Sequence, residues 1–116
     1  MQKRILIAED DVPYREALTK IAENEGYKVI AVGNGHDMLT VVNETDVDVV
    51  VTDIKMPYLS GTSAVEIMQS KGDKTPIIAI TGLTNYNVSQ ISDRFLRVYY
   101  KPIDMTELFV YIKSLF

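Results

Sequence analysis

The chain has 116 residues, 47% of them hydrophobic and 24% charged, which is the balance of one ordinary globular domain with a real core. It contains no cysteine, so disulfides and thiolate metal sites are excluded as carriers of fold or chemistry, and a reducing cytoplasm is compatible with that composition. A formal charge of −4 with dispersed Lys and Arg argues against direct nucleic-acid binding as the main role, and no apolar run is long enough for a signal peptide or a membrane span.

In chain order, Ile5-Leu6-Ile7-Ala8 is a continuous apolar run, the pattern of a strand covered on both faces. It leads into Glu9-Asp10-Asp11. Tyr14, Ala17, Leu18, Ile21 and Ala22 then recur at helical spacing, with Arg15, Glu16, Lys20 and Glu23 on the other face. Asp10 or Asp11 can cap that helix, Pro13 suits its first turn, and Gly26 is placed to end it. Tyr27 to Val32 reads as a second strand. After the turn Gly33-Asn34-Gly35, residues Met38, Leu39, Val41 and Val42 mark a second helix. Val47 to Thr52 is a third strand running into Asp53, and Ala64, Val65, Ile67 and Met68 mark a third helix.

Ile77 to Thr81 is the fourth strand. From Thr84 to Phe95 one apolar seam (Val88, Ile91, Phe95) runs among the poor helix formers Asn85, Asn87, Ser89 and Ser92, which predicts a fourth helix of low intrinsic stability. Val98 to Tyr100 is the fifth strand, followed by Lys101-Pro102, and Leu108, Ile112 and Leu115 mark the fifth helix. No repeat, linker or low-complexity stretch interrupts the pattern, so a single domain over residues 1–116 is expected. Strict alternation of strand and helix predicts an α/β fold. Its parallel strands are joined by right-handed crossovers, with helices on both faces.

In such sheets ligands sit beyond the carboxyl ends of the strands. Glu9-Asp10-Asp11, Asp53, Thr81 and Lys101 all stand at those ends. Each has a bland reading: a lone Asp after a strand is usually a cap, a Lys before Pro is usually solvated, and Thr81 could merely finish its strand. Those separate explanations are strained when every one of these residues lies on the same rim. Clustered carboxylates repel one another without a cation and so call for a hard metal. Mg²⁺ takes oxygen ligands, commonly one or two carboxylates plus a phosphate. An Asp carboxylate can be the nucleophile in phosphoryl transfer, with Mg²⁺ and a Lys neutralising the transferred charge and a hydroxyl donating to it.

The stretch Ile5 to Asp11, the run Asp53-Ile54-Lys55-Met56-Pro57 with Gly61 after it, the pair Thr81-Gly82, and Lys101-Pro102 together resemble the response-regulator receiver domain of two-component signalling. The resemblance covers essentially the whole chain, in the right order. It implies a flavodoxin-like, doubly wound, five-stranded parallel sheet of order 2-1-3-4-5 with five helices. It also implies a cytoplasmic signalling switch. Position by position, it makes Asp53 the phosphoacceptor. Mg²⁺ would be held by Asp10, by Glu9 largely through water, by Asp53 and by the backbone carbonyl of Lys55. Thr81 becomes the switching hydroxyl and Lys101 the ammonium that pairs with the phosphoryl group. A cis Lys101–Pro102 bond is a further expectation. The implied partner is a histidine kinase or histidine phosphotransfer protein, with a homodimer or an effector contacting the face of the fourth helix, fifth strand and fifth helix. Lys55 and Leu83 occupy positions where receivers tune loss of the phosphoryl group.

This sequence departs from the family pattern in the stretch from Thr81 to Lys101, which is slightly short and lacks the usual small-residue turn before the fifth strand, and at the switching aromatic. The usual aromatic position falls at Val98, which has no ring, and Tyr99 should face the opposite side of the sheet. The last helix is apolar nearly all round, because Phe109, Val110, Tyr111 and Phe116 accompany Leu108, Ile112 and Leu115. His36, the only histidine, reads as a surface or capping residue. Two other readings remain at this stage. A flavodoxin-like cofactor-binding module would need amide or hydroxyl donors where Glu9-Asp10-Asp11 stands, and a phosphorylation-independent receiver would act only as a protein-binding module.

Overall fold

The computed structural model describes residues 2–83 and 91–116. Its strands are β1 (Arg4–Ala8), β2 (Lys28–Val32), β3 (Val49–Asp53), β4 (Ile77–Thr81) and β5 (Arg97–Tyr100), and its α-helices are α1 (Val12–Asn24), α2 (Gly35–Glu44), α3 (Gly61–Ser70) and α4 (Met105–Ser114). The strands form one parallel sheet in the order β2-β1-β3-β4-β5. This is the expected flavodoxin-like arrangement, with four α-helices among the described residues.

Two apolar layers explain why the central strands read as unbroken hydrophobic runs. On one face Ile5, Ile7, Val49, Val51, Ile78 and Ile80 pack against Leu18 and Ala22 of α1 and Leu108, Phe109 and Ile112 of α4. On the other, Leu6, Ala8, Val50, Ile77 and Ala79 meet Met38 of α2 and Ala64, Val65 and Met68 of α3. Successive strand residues therefore feed opposite layers, and every residue of β3 and β4 is buried.

Local chemistry starts and stops α1 as expected. Asp11 caps α1 by accepting the Tyr14 N–H at 3.1 Å, Pro13 sits in the first turn, and Gly26 follows the helix at φ 94°. Asn34 caps α2, Ser60 caps α3 and Asp104 caps α4 in the same way.

The predicted fourth helix falls mostly on residues 84–90, outside the described residues. Of the rest of that segment, Ser92–Arg94 is a single 3₁₀ turn, and Ile91 and Phe95 join the layer that holds α2 and α3. Val98 also faces that layer, whereas Tyr99 packs in the layer of α1 and α4, as the alternation along the strand requires. The all-round apolarity of α4 has an internal explanation that the sequence reading did not supply. Phe109 is buried, with its ring 6.5 Å from that of Tyr27, and the Arg97 guanidinium covers Tyr111 at 4.0 Å. Only Val110 and Phe116 keep substantial exposure among those four aromatic and aliphatic side chains.

Candidate functional site

The register of the sheet brings the strand ends together. Ala8 pairs with Thr52, Asp53 with Ile80 and Thr81 with Tyr100, so Glu9, Asp53, Thr81 and Lys101 emerge at one rim. Carboxylate oxygens of Glu9, Asp10 and Asp53 lie within 4.8 Å of one another. Glu9 is completely buried and Asp53 is 6% exposed, while Asp10 opens to solvent.

Lys101 reaches into this cluster. Its Nζ donates to Glu9 Oε1 at 2.5 Å and to Asp53 Oδ2 at 2.9 Å, and the Lys101–Pro102 peptide bond is cis. The Lys101 N–H also donates to the Thr81 carbonyl at 2.7 Å, tying the ends of β4 and β5. Backbone donors fix the remaining carboxylate oxygens: the Ile54 N–H to Asp53 Oδ1 at 2.7 Å, and the Asp11 N–H to Glu9 Oε2 at 3.1 Å. Thr81 is fully buried, and its Oγ1 accepts the Leu83 N–H at 3.0 Å, which leaves the hydroxyl proton for another acceptor.

Two further residues brace the rim, and sequence reading had placed them only as opposite faces of α1. Arg15 donates through Nη1 to the Glu9 carbonyl at 2.8 Å, while the Glu9 N–H donates to Val32 O at 3.0 Å. Tyr14 lies against Lys101, its ring centroid 4.7 Å from Nζ. Their side-chain types were legible at the start of α1, but nothing in a helical period says which strand end they reach. Asp11 is a cap, as expected. Lys55 lies exposed in the β3–α3 connection, and His36 is an exposed residue of the first turn of α2, 3.7 Å from Asp37.

The motif glycine has a steric reason. A Cβ on Gly61 would stand 2.0 Å from the Asp53 carbonyl oxygen and 3.0 Å from Thr52 Oγ1. The Gly61 N–H donates to Ile54 O at 2.8 Å, so the start of α3 is seated directly on the backbone that presents Asp53.

Burial is the largest influence on Glu9 and raises its pKa from 4.5 to about 7, against the lowering effect of its bonds from Lys101 and the Asp11 N–H. Burial alone would lower the Lys101 pKa, but its bonds to Glu9 and Asp53 outweigh that and raise it. The folded protein thus keeps a proton on Glu9 up to about pH 7, whereas the unfolded chain releases it near 4.5. Stability in EDTA should therefore fall as pH rises through that window and then level off. Denaturant midpoints between pH 5 and 8 test this, and Glu9→Gln should flatten the slope. An identical slope in Glu9→Gln would show that another group carries it.

A parallel α/β sheet with an acidic cluster and an inward-pointing lysine at its carboxyl rim defines a signalling receiver built on the flavodoxin-like fold. The profile of the response regulator receiver domain matches residues 5–113, and the chain belongs to that family. It is 31% identical over 85 residues to the DNA-binding response regulator MtrA of Mycobacterium tuberculosis, a match that takes in 73% of this chain and 37% of that protein. The structure superimposes on the receiver domain of a Francisella response regulator with a TM-score of 0.92 at 26% identity, covering 98% of this chain and 96% of the other. It is similarly close to the response regulator TrrA of Thermotoga maritima, crystallised in complex with Mg²⁺–BeF, with a TM-score of 0.90 at 29% identity and 99% and 100% coverage. The chain is a receiver of two-component signal transduction.

Proposed function

We propose that Asp53 accepts a phosphoryl group from a histidine kinase or histidine phosphotransfer protein, with Mg²⁺ held by Glu9, Asp10, Asp53 and the Lys55 backbone carbonyl. The observation that carries this reading is the three-carboxylate cluster with Lys101 bonded to both Glu9 and Asp53. An all-oxygen donor set with both buried and solvent-facing members suits a hard cation that keeps part of its water shell. When bound, Mg²⁺ offsets the negative charge of the cluster and of the incoming phosphoryl oxygens.

The protein's own contribution is positioning and charge. An Asp53 carboxylate oxygen attacks phosphorus and forms a P–O bond, while the P–N bond of a phosphohistidine, or the P–O bond of a small acyl phosphate, breaks and its electron pair leaves with the donor. The Ile54 N–H keeps the carboxylate oriented. Lys101, already at the rim, exchanges its bond to Asp53 for one to a phosphoryl oxygen, and Thr81 donates its hydroxyl proton to another. Attack by water on the acyl phosphate resets the switch. The signal would reach an effector or a second copy through the surface of β5, α4 and the predicted fourth helix, where Tyr100 and the Arg97–Tyr111 stack lie. On this reading residues 1–116 act as one receiver unit, in the cytoplasm.

Incubation with acetyl phosphate and Mg²⁺ should add one phosphoryl group by intact mass, in a base-labile linkage that maps to Asp53. Asp53→Asn should show none. An unmodified wild type under these conditions, or an equally modified Asp53→Asn, would overturn the assignment.

A further inference from the structure

We infer that Tyr14 is a positioning residue for Lys101, holding the ammonium at the rim by a contact that does not depend on the charge of Asp53. Tyr14 is in the first turn of α1, and its partly buried ring lies 4.7 Å from Lys101 Nζ, inside the roughly 6 Å range of a cation–π contact. Its phenol oxygen accepts the Ile103 N–H at 3.4 Å, so the same side chain touches both ends of the Lys101-Pro102-Ile103 turn.

The chemistry of the rim gives this contact a purpose. In the structure Lys101 is held by Glu9 and Asp53. When Asp53 becomes an acyl phosphate, on the reading proposed above, the ammonium must release that carboxylate and find a phosphoryl oxygen. A further carboxylate at position 14 would compete for the ammonium at that moment. An aromatic face attracts the cation without offering a hydrogen-bond acceptor of comparable strength, so it restrains Lys101 yet lets its N–H groups change partner. The long bond to Ile103 is secondary, and the ring should matter more than the hydroxyl.

Tyr14→Leu should slow phosphorylation by acetyl phosphate at saturating Mg²⁺ by about tenfold, the scale of one partly desolvated cation–π contact. Tyr14→Phe should restore nearly the wild-type rate. In a Lys101→Ala background Tyr14→Leu should cause no further loss, because the effect passes through Lys101. A merely structural role would slow both backgrounds equally, and that result, or a wild-type rate in Tyr14→Leu, would overturn the inference. An independent readout needs no activity. The Lys101 ε-methylene protons should resonate upfield of ordinary lysine in wild type and in Tyr14→Phe, shifted by the ring. Ordinary shifts in the wild type would refute the contact itself. Should wild type accept no phosphoryl group while the upfield shift is present, the Asp53 assignment fails and the contact stands.

Discussion

In EDTA at pH 8, Lys101→Ala should unfold with a free energy about 3–5 kcal/mol below wild type, the cost of removing one partner from a buried charge group. The structure motivates that size because Lys101 is the cation bonded to both Glu9, which is fully buried, and Asp53, which is nearly so. Without it, two carboxylates face one another and Asp10, and among the described residues the donors left to their oxygens are the backbone N–H groups of Asp11 and Ile54. The deficit should shrink at pH 5.5, because Glu9 then holds its proton in the folded state. Mg²⁺ at a hundred times its Kd should return about 2.7 kcal/mol by binding only the native protein. Lys101→Met, which keeps the stem, should show most of the same loss and so assign it to charge rather than packing. The phosphorylation rate should also drop by about 10²–10³, as when one preorganised electrostatic donor is removed. Chemical denaturation at the two pH values, with and without Mg²⁺, tests the stability claim. A deficit below about 1 kcal/mol that ignores both pH and Mg²⁺ would place Lys101 among solvated surface ion pairs.

Gly61→Ala should cost about 1–3 kcal/mol, the usual range for forcing extra volume into a packed site. The added methyl would stand 2.0 Å from the Asp53 carbonyl oxygen, and backbone cannot turn aside as a flexible side chain does. Alanine's better helix propensity offsets part of this, by up to about 1 kcal/mol. The functional loss should exceed the loss in stability, because the displaced backbone carries Asp53 and the adjacent Ile54 N–H that orients its carboxylate. Slower phosphorylation at saturating Mg²⁺, measured where the variant is still fully folded, is the expected result. An unchanged rate together with an unchanged denaturation midpoint would mean that α3 can slide away from β3 at no cost.

Much of the fold was legible because its strands are buried on both faces and its helices carry their own start signals. Ile5 to Ala8 and Ile77 to Thr81 are unbroken apolar runs that sit between two helical layers, and Asp11 caps α1 as its position suggested. Boundaries moved by a residue or two where flanking backbone joins the ladder: Arg4 pairs with Lys28 at the start of β1, and Asp53 finishes β3. The last helix has an apolar circumference, and periodicity does not say which part of it the rest of the domain covers. In fact α4 faces the sheet with one side, and Phe109 meets Tyr27 with another.

For the site, the order and types of the rim residues were written in the chain: acids after β1, an acid ending β3, a hydroxyl ending β4 and Lys-Pro after β5. Parallel strands put those positions on one edge by topology alone, so the sequence by itself determined the sheet, the cluster and the kind of chemistry it suits. Only the tertiary structure decided how Lys101 divides itself between Glu9, 92 residues away, and Asp53, 48 residues away. The same holds for Arg15 reaching the Glu9 carbonyl, for Tyr14 lying on Lys101, and for Gly61 seating α3 on Asp53. Periodicity specifies which face of an element is apolar. Which atom a long polar side chain finally reaches depends on how neighbouring elements are offset, and that offset is set by the packing of the whole core.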